Sequence, residues 1–120
     1  MSARWIDIAT NEEHPYRGYL ALPPKGHGPG IVLVQEIWGV NAHIRAVAEQ
    51  YALDGYVVLA PDVFWRLAPG VDLDYSEADS ARGMHYLQKL DFPQAVQDLA
   101  LAVQTLRAMP ECSGKVASLG

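Results

Sequence analysis

The sequence predicts an α/β fold with a mostly parallel sheet, an antiparallel start and helices on both faces. Apolar and polar residues alternate near the N-terminus, continuous apolar runs occur at Ile31–Val34 and Tyr56–Ala60, and a helical pattern separates these runs. Alternation is typical of strands with one solvated face, and unbroken β-branched runs are typical of parallel strands covered on both faces. The predicted order is therefore ββ, then βαβ, then αα, then β.

The first two strands are predicted from period-two patterning. Ile6 and Ile8 alternate with polar or small residues across Arg4–Ala9, and a second half-polar strand covers Tyr16–Leu22. The polar residues Asn11–His14 between them have the composition of a turn. Two short strands joined in this way indicate an antiparallel pair at a sheet edge.

A strand–helix–strand unit is predicted for residues 31–60. Pro23–Gly30 is rich in proline and glycine and should break the chain before the first buried strand. The helix has Asn41 as its N-cap and Gly55 just after its end. Its apolar positions, at helical spacing, are Ile44, Val47, Ala48, Tyr51 and Ala52. Such units are right-handed, with parallel strands, in nearly all folds.

Two helices and a last strand follow an irregular stretch at residues 63–75. The first helix should begin at Ser76 and run to about Leu90, with Gly83 as a weak point. Its predicted apolar stripe is Ala81, Met84 and Leu87. Pro93 opens the second helix, whose predicted apolar face is Ala95, Leu99, Ala102, Val103, Leu106 and Met109. Lys115–Leu119 is the predicted last strand.

Composition and charge narrow the possible functions. The 120 residues include 50% hydrophobic and 19% charged side chains and have a formal net charge of −5, which is typical of one globular domain covering residues 1–120. No basic patch points to nucleic acid or to an anionic membrane surface, and no apolar run is long enough to cross a bilayer. A lone cysteine, Cys112, excludes an internal disulfide and fits a reducing, cytoplasmic location.

The segment Gln35–Asn41 is the first candidate for chemistry, because α/β sheets bind ligands beyond the carboxyl ends of their strands. Glu36 directly follows a buried strand, where desolvation or an ionic partner shifts a carboxyl pKa. The N–H of Ile37 lies on a loop that leads into a helix, and such groups can stabilise an oxyanion. The alternative is an exposed Glu36 beside a Trp38 that packs on the sheet.

Other polar residues carry weaker signals. Asp62 follows the second buried strand and is either a ligand-side carboxylate or the N-cap of a short turn. Arg82 can bind a carboxylate through two of its guanidinium nitrogens, or can be a solvated surface residue. The four histidines lack metal-ligand spacing, so no metal site is predicted. Gly26–Gly30 precedes a strand and therefore does not match a phosphate loop.

Three segments together resemble the dienelactone hydrolase family of the α/β-hydrolase fold. They are Gly30–Asn41, which contains Gln-Glu-Ile-Trp-Gly, Leu53–Asp62, which ends in Ala-Pro-Asp, and Gly114–Val116 before Gly120. The first motif is fairly specific, whereas Ala-Pro-Asp is common to many α/β-hydrolases. The resemblance extends from about residue 5 to the end of the chain.

The resemblance implies hydrolysis of small esters or lactones, such as enol-lactone ring opening, by a Cys-His-Asp triad without a cofactor or metal. It implies that Glu36 interacts with the nucleophilic thiol and that the backbone N–H of Ile37 is an oxyanion donor. It also implies that Trp38 forms a wall of the substrate pocket. Arg82 would bind a substrate carboxylate, although its spacing needs a one-residue gap.

The resemblance also implies that catalytic residues are missing. In the family, the strand at Lys115–Leu119 leads into a nucleophile elbow, Gly-x-Cys-x-Gly-Gly, whose first glycine corresponds to Gly120. We therefore expect a truncated domain that has no hydrolase activity alone. The last strand should be an apolar sheet edge, which favours self-association or a partner that supplies the missing half.

Two other functions stay open. A non-catalytic binding or assembly module derived from a hydrolase predicts a stop codon after Gly120, whereas a hydrolase predicts an in-frame Cys-x-Gly-Gly downstream. A flavodoxin-like or nucleotide-binding domain would need a phosphate loop after the first buried strand. Glu36 and Trp38 place negative charge and bulk there instead.

Overall fold

A computed structural model describes all residues, 1–120, and contains one five-stranded sheet with three helices. The elements in chain order are β1 (Ser2–Thr10), β2 (Pro15–Leu22), β3 (Gly28–Leu33), α1 (Ala42–Leu53), β4 (Val57–Pro61), α2 (Glu77–Lys89), α3 (Phe92–Ala108) and β5 (Cys112–Leu119). The strand order across the sheet is β1-β2-β4-β3-β5. The pairs β1–β2 and β2–β4 are antiparallel, and β3 is parallel to both β4 and β5. The predicted α/β fold with an antiparallel start is confirmed.

The two faces of the central strands are buried under different helices. One face packs on α1 through Ile31, Leu33, Val58 and Ala60, and the other packs on α3 through Val32 and Leu59. Because side chains alternate along a strand, covering both faces requires apolar residues at every position of β3 and β4. None of the three helices combines the length and the apolar character of a membrane span.

The predicted limits of the βαβ unit are confirmed at the helix and wrong at its first strand. Asn41 caps α1 by accepting a hydrogen bond from the Ile44 N–H, and Gly55 follows the helix with a φ of 108°. However, β3 begins at Gly28, inside the predicted breaker segment. A Cβ on Gly28 would lie 2.1 Å from the Gly55 carbonyl oxygen, so glycine here permits close packing instead of ending the strand.

The apolar stripe predicted for α2 is wrong at two of its three positions and right at Leu87, which packs against the cluster of Phe64, Val71 and Leu73. Ala81 and Met84 are exposed, whereas Gly83 is buried and Leu87 is half-buried. A Cβ on Gly83 would lie 2.3 Å from the Ile37 carbonyl oxygen. The helix therefore meets the rest of the protein through backbone contact at a glycine, which an analysis of apolar side chains does not detect.

Candidate active site

Glu36 and the end of β5 lie at the same edge of the sheet. The Val34 N–H donates a 2.7 Å hydrogen bond to the Leu119 carbonyl oxygen, so β5 ends beside the chain that leads from β3 to Glu36. Glu36 is exposed. The parallel arrangement of β3 and β5 thus places a carboxylate and the exit of the last strand together, as expected for the ligand-binding edge of an α/β sheet.

A tight turn presents the backbone of Ile37. The Gly39 N–H donates to the Glu36 carbonyl oxygen at 3.2 Å, and Gly39 has a φ of 80°, a conformation that favours glycine. The Ile37 N–H, inside this turn, donates to no acceptor in the chain. A free N–H on a fixed turn can donate to the oxyanion of a tetrahedral intermediate.

Two neighbouring segments hold this turn in place. On one side the Leu73 N–H donates to the Trp38 carbonyl oxygen at 2.9 Å, and a Cβ on Gly39 would lie 2.0 Å from the Val71 carbonyl oxygen. On the other side Gly83 of α2 contacts the Ile37 carbonyl. The position of the Ile37 peptide is therefore set by close backbone contacts on both sides, which require Gly39 and Gly83.

Gln35 links the ends of β3 and β4. Its Oε1 accepts from the Val63 N–H at 2.8 Å, and its Nε2 donates to the Glu36 carbonyl oxygen at 3.0 Å. Sequence reasoning did not assign Gln35 a role. Its place directly before Glu36, at the end of an apolar strand, is the signal that could have identified it.

Trp38 and Arg82 both have polar partners on α2. The Trp38 Nε1 donates to Ser80 Oγ at 3.0 Å, and its ring meets Tyr75 edge-to-face at 4.7 Å. The Arg82 guanidinium is largely exposed and pairs with Asp79 at 3.3 Å on the same helix. Trp38 is thus tied to α2, and Arg82 lies on that helix directly beside Gly83, which contacts the Ile37 carbonyl.

An apolar cavity of about 260 Å³ adjoins Glu36 and Ile37. Its other walls come from the ends of β3 and α2, from the loop after β4, and from α3. Two of the α3 side chains at this cavity, Phe92 and Val96, are 58% and 64% exposed. The cavity is thus an apolar surface that is open to solvent in the 120-residue chain.

Asp62 is a buried carboxylate in the loop after β4. It is 3% exposed, and its Oδ2 accepts from the Gly70 N–H at 2.7 Å, which closes the loop after β4. Burial raises the pKa of Asp62 to about 6, against the opposing effect of the backbone N–H groups of Gly70 and Phe64. Asp62 does not border the cavity beside Glu36.

Asp98 is a buried carboxylate that the sequence analysis missed. It accepts hydrogen bonds from Trp65 Nε1 at 3.1 Å, from Arg66 through both of its oxygens, and from Gln94. Trp65 is also buried and covers the core. A charged residue between Ala95 and Ala102 on an apolar helix face was the available signal.

Comparisons with known proteins identify the family of this chain. The sequence model of the Dienelactone hydrolase family matches residues 16–120. The carboxymethylenebutenolidase of Pseudomonas sp. (strain P51) is 35% identical over 106 residues, which are 88% of this chain and 44% of that protein. The carboxymethylenebutenolidase of Pseudomonas putida is 33% identical over 121 residues, which are 100% of this chain and 51% of that protein.

Solved structures show the same fold. A candidate dienelactone hydrolase from Klebsiella pneumoniae superposes with a TM-score of 0.77 at 24% identity, covering 98% of this chain and 48% of that one. A dienelactone hydrolase-like promiscuous phosphotriesterase from metagenomic libraries has a TM-score of 0.68 at 28% identity, covering 98% and 47%. The chain spans about half the length of the curated relatives it matches. It is the N-terminal part of an α/β-hydrolase fold and belongs to the dienelactone hydrolase family.

Proposed function

We propose that this chain provides the N-terminal half of the active site of an ester or lactone hydrolase. The observation that carries the proposal is the hydrogen bond between Val34 and Leu119, which brings the end of β5 to the Glu36 segment. A nucleophile that follows β5 on an elbow would stand beside Glu36 and the free N–H of Ile37. The chemistry is acyl transfer to a thiol, followed by hydrolysis.

Glu36 and Ile37 have different roles in this proposal. The Ile37 N–H donates to the oxyanion that forms when the thiol attacks the carbonyl carbon, and one such donor is worth roughly 10²–10³ in kcat. Glu36 accepts a hydrogen bond from the thiol and so controls its protonation. Because the thiolate is the attacking form, a carboxylate beside the sulfur opposes its premature ionisation.

Trp38 and Arg82 are proposed to contact the substrate. Trp38 would form a wall of its site, while its indole N–H stays on Ser80. Arg82 would bind a substrate carboxylate after exchanging it for Asp79, its present partner. That exchange is accessible, because the Arg82–Asp79 pair is exposed and water screens its attraction.

Two experiments test the hydrolase proposal. The purified 120-residue chain should show no turnover of a p-nitrophenyl ester or an enol lactone, and measurable turnover would contradict the proposed missing triad. In the second, residues 1–120 are joined to the C-terminal half of the carboxymethylenebutenolidase of Pseudomonas sp. (strain P51). A folded chimera should hydrolyse the ester, Glu36→Gln should lower kcat/KM and shift its pH profile, and the exposed control Glu77→Gln should do neither.

The alternative is a non-catalytic assembly module, and the outer edge of β5 favours it. No strand pairs with that edge, and Leu119 at its end is 39% exposed. An unpaired edge strand can pair with another strand, so the chain is proposed to self-associate here or to bind a partner that completes the sheet.

Sedimentation tests the self-association. The wild-type chain should sediment as a dimer or larger species, and Ser118→Pro, but not Ser118→Ala, should reduce the fraction of these species. A wild-type monomer at all concentrations would contradict self-association.

A further inference from the structure

Three charged residues form a row across β1, β2 and the end of β4. Asp7 is directly opposite Arg17 in the β1–β2 pair, and the Asp62 N–H donates to the Arg17 carbonyl oxygen at 2.9 Å. Residues opposite each other in antiparallel strands direct their side chains to the same face. Arg17 therefore has one carboxylate on each side, Asp7 at the outer strand and Asp62 towards the sheet centre.

The two carboxylates differ in environment. The Asp7 side chain is 67% exposed and accepts from Arg17 Nε at 3.1 Å. Asp62 is 3% exposed, and its Oδ1 is buried and accepts no hydrogen bond of good geometry, although the Phe64 N–H acts on the carboxyl group. A buried carboxylate oxygen that lacks a donor is costly when the group is ionised and much less so when it is protonated.

A cleft gives Arg17 access to Asp62. It has a volume of about 330 Å³ and is lined by Trp5, Pro15, Arg17, Asp62, Pro69 and Gly70. The Arg17 side chain is 57% exposed, so its guanidinium can change rotamer without disturbing the core. The cleft is large enough for a guanidinium group, which is the donor that a carboxylate binds best.

The other charged groups around Asp62 have partners of their own. On the same face, Arg45 of α1 pairs with Asp72, and Glu49 of α1 accepts from Tyr19. On the opposite face, Arg66 pairs with Asp98, and the Tyr16 hydroxyl donates to the Asp98 carbonyl oxygen. Arg17 is therefore the cation that borders Asp62 and is held only by an exposed pair.

We propose that Arg17 exchanges Asp7 for Asp62 when Asp62 loses its proton, which makes this edge of the sheet a pH-sensitive switch. At low pH the neutral Asp62 leaves Arg17 on Asp7, which is the pairing in the structure. As the pH rises, the Asp62 carboxylate draws the guanidinium into the cleft and pairs with it. Because burial raises the pKa of Asp62 to about 6, the exchange falls near neutral pH.

Carboxyl-carbon NMR titration of the 120-residue chain tests the switch. Arg17→Gln removes the cation and should raise the Asp62 pKa by about one unit, whereas Asp7→Asn frees Arg17 and should lower it. Arg45→Gln is the matched control and should leave the Asp62 pKa unchanged. The Arg17 Nε resonance should move with the Asp62 titration in wild type.

The opposite results overturn the switch. An Asp62 pKa that Arg17→Gln leaves unchanged would show that the guanidinium never reaches Asp62. An Arg17 Nε resonance that is constant across the Asp62 titration would show the same without any variant. Arg17 and Asp7 are both exposed, so their substitutions keep the chain folded.

Discussion

Gly83→Ala tests whether α2 is held against the candidate site by backbone contact. Gly83 is buried in the middle of α2, and a Cβ there would lie 2.3 Å from the oxygen and 3.0 Å from the carbon of the Ile37 carbonyl. These atoms belong to the backbone of a turn that is fixed on its other side at Gly39. Neither partner can avoid the new methyl group by rotating a side chain.

The sign of the stability change distinguishes a steric clash from the effect of helix propensity. At a solvent-exposed helix position, replacing glycine by alanine stabilises a protein by about 1 kcal/mol. Overpacking a tight contact costs about 1–3 kcal/mol. Because the new methyl group would meet backbone atoms, we expect a cost of about 3 kcal/mol here. The expected net result is a destabilisation of about 2 kcal/mol, because α2 must move away from Ile37.

Urea unfolding followed by tryptophan fluorescence measures the difference. Ala81→Gly, at an exposed position of the same helix, is the control and should lose about 1 kcal/mol through propensity alone. The Ile37 amide resonance should shift in Gly83→Ala and remain in place in Ala81→Gly. A Gly83→Ala protein more stable than wild type would refute the reasoning.

Three further predictions concern buried polar groups. The free energy of unfolding should fall by up to about 3 kcal/mol as the pH rises from about 4 through 6. The reason is that burial raises the pKa of folded Asp62 to about 6 from a usual 3.8, so the folded chain keeps a proton that the unfolded chain loses. Urea unfolding at several pH values should show a smaller fall for Asp62→Asn. Asp98→Ala should cost about 2–4 kcal/mol because it leaves the buried Trp65 N–H unpaired, whereas the exposed Asp7→Ala should cost under about 1 in the same assay. Asn41→Ala should lower the free energy of unfolding by about 2–3 kcal/mol in thermal unfolding, since Asn41 caps α1 and also donates to the Leu73 carbonyl oxygen. Ser76→Ala, which removes an exposed cap, should lower it by about 1 kcal/mol, and equal losses would contradict the role of burial.

Most of the fold followed from local patterns. The apolar runs of β3 and β4, the caps at Asn41 and Ser76, and the turn at Asn11 are each encoded within a few residues. Such features depend on side-chain alternation and on hydrogen bonds to nearby backbone groups, which a single sequence displays directly. The prediction at Gly28 was wrong because the same residue type both ends strands and permits their closest packing.

The candidate site was only partly predictable. Glu36 and Ile37 could be identified because they follow a buried strand, and this position is a local property of the chain. The contact of Gly83 with Ile37, the burial of Asp98 and the unpaired oxygen of Asp62 each join segments that are distant in sequence. No periodic pattern in the sequence predicts these three features.

The order of residues along the chain thus specifies the strands, the helices, their caps and the place of the acidic loop. The packing of these elements specifies which peptide groups are held by close contacts, which carboxylates are buried away from water, and which guanidinium group lies near two carboxylates. The physical reason is that periodicity and capping are short-range, whereas desolvation and steric contact depend on all the atoms that surround a group. The free N–H of Ile37 and the covered Oδ1 of Asp62 are both consequences of that packing.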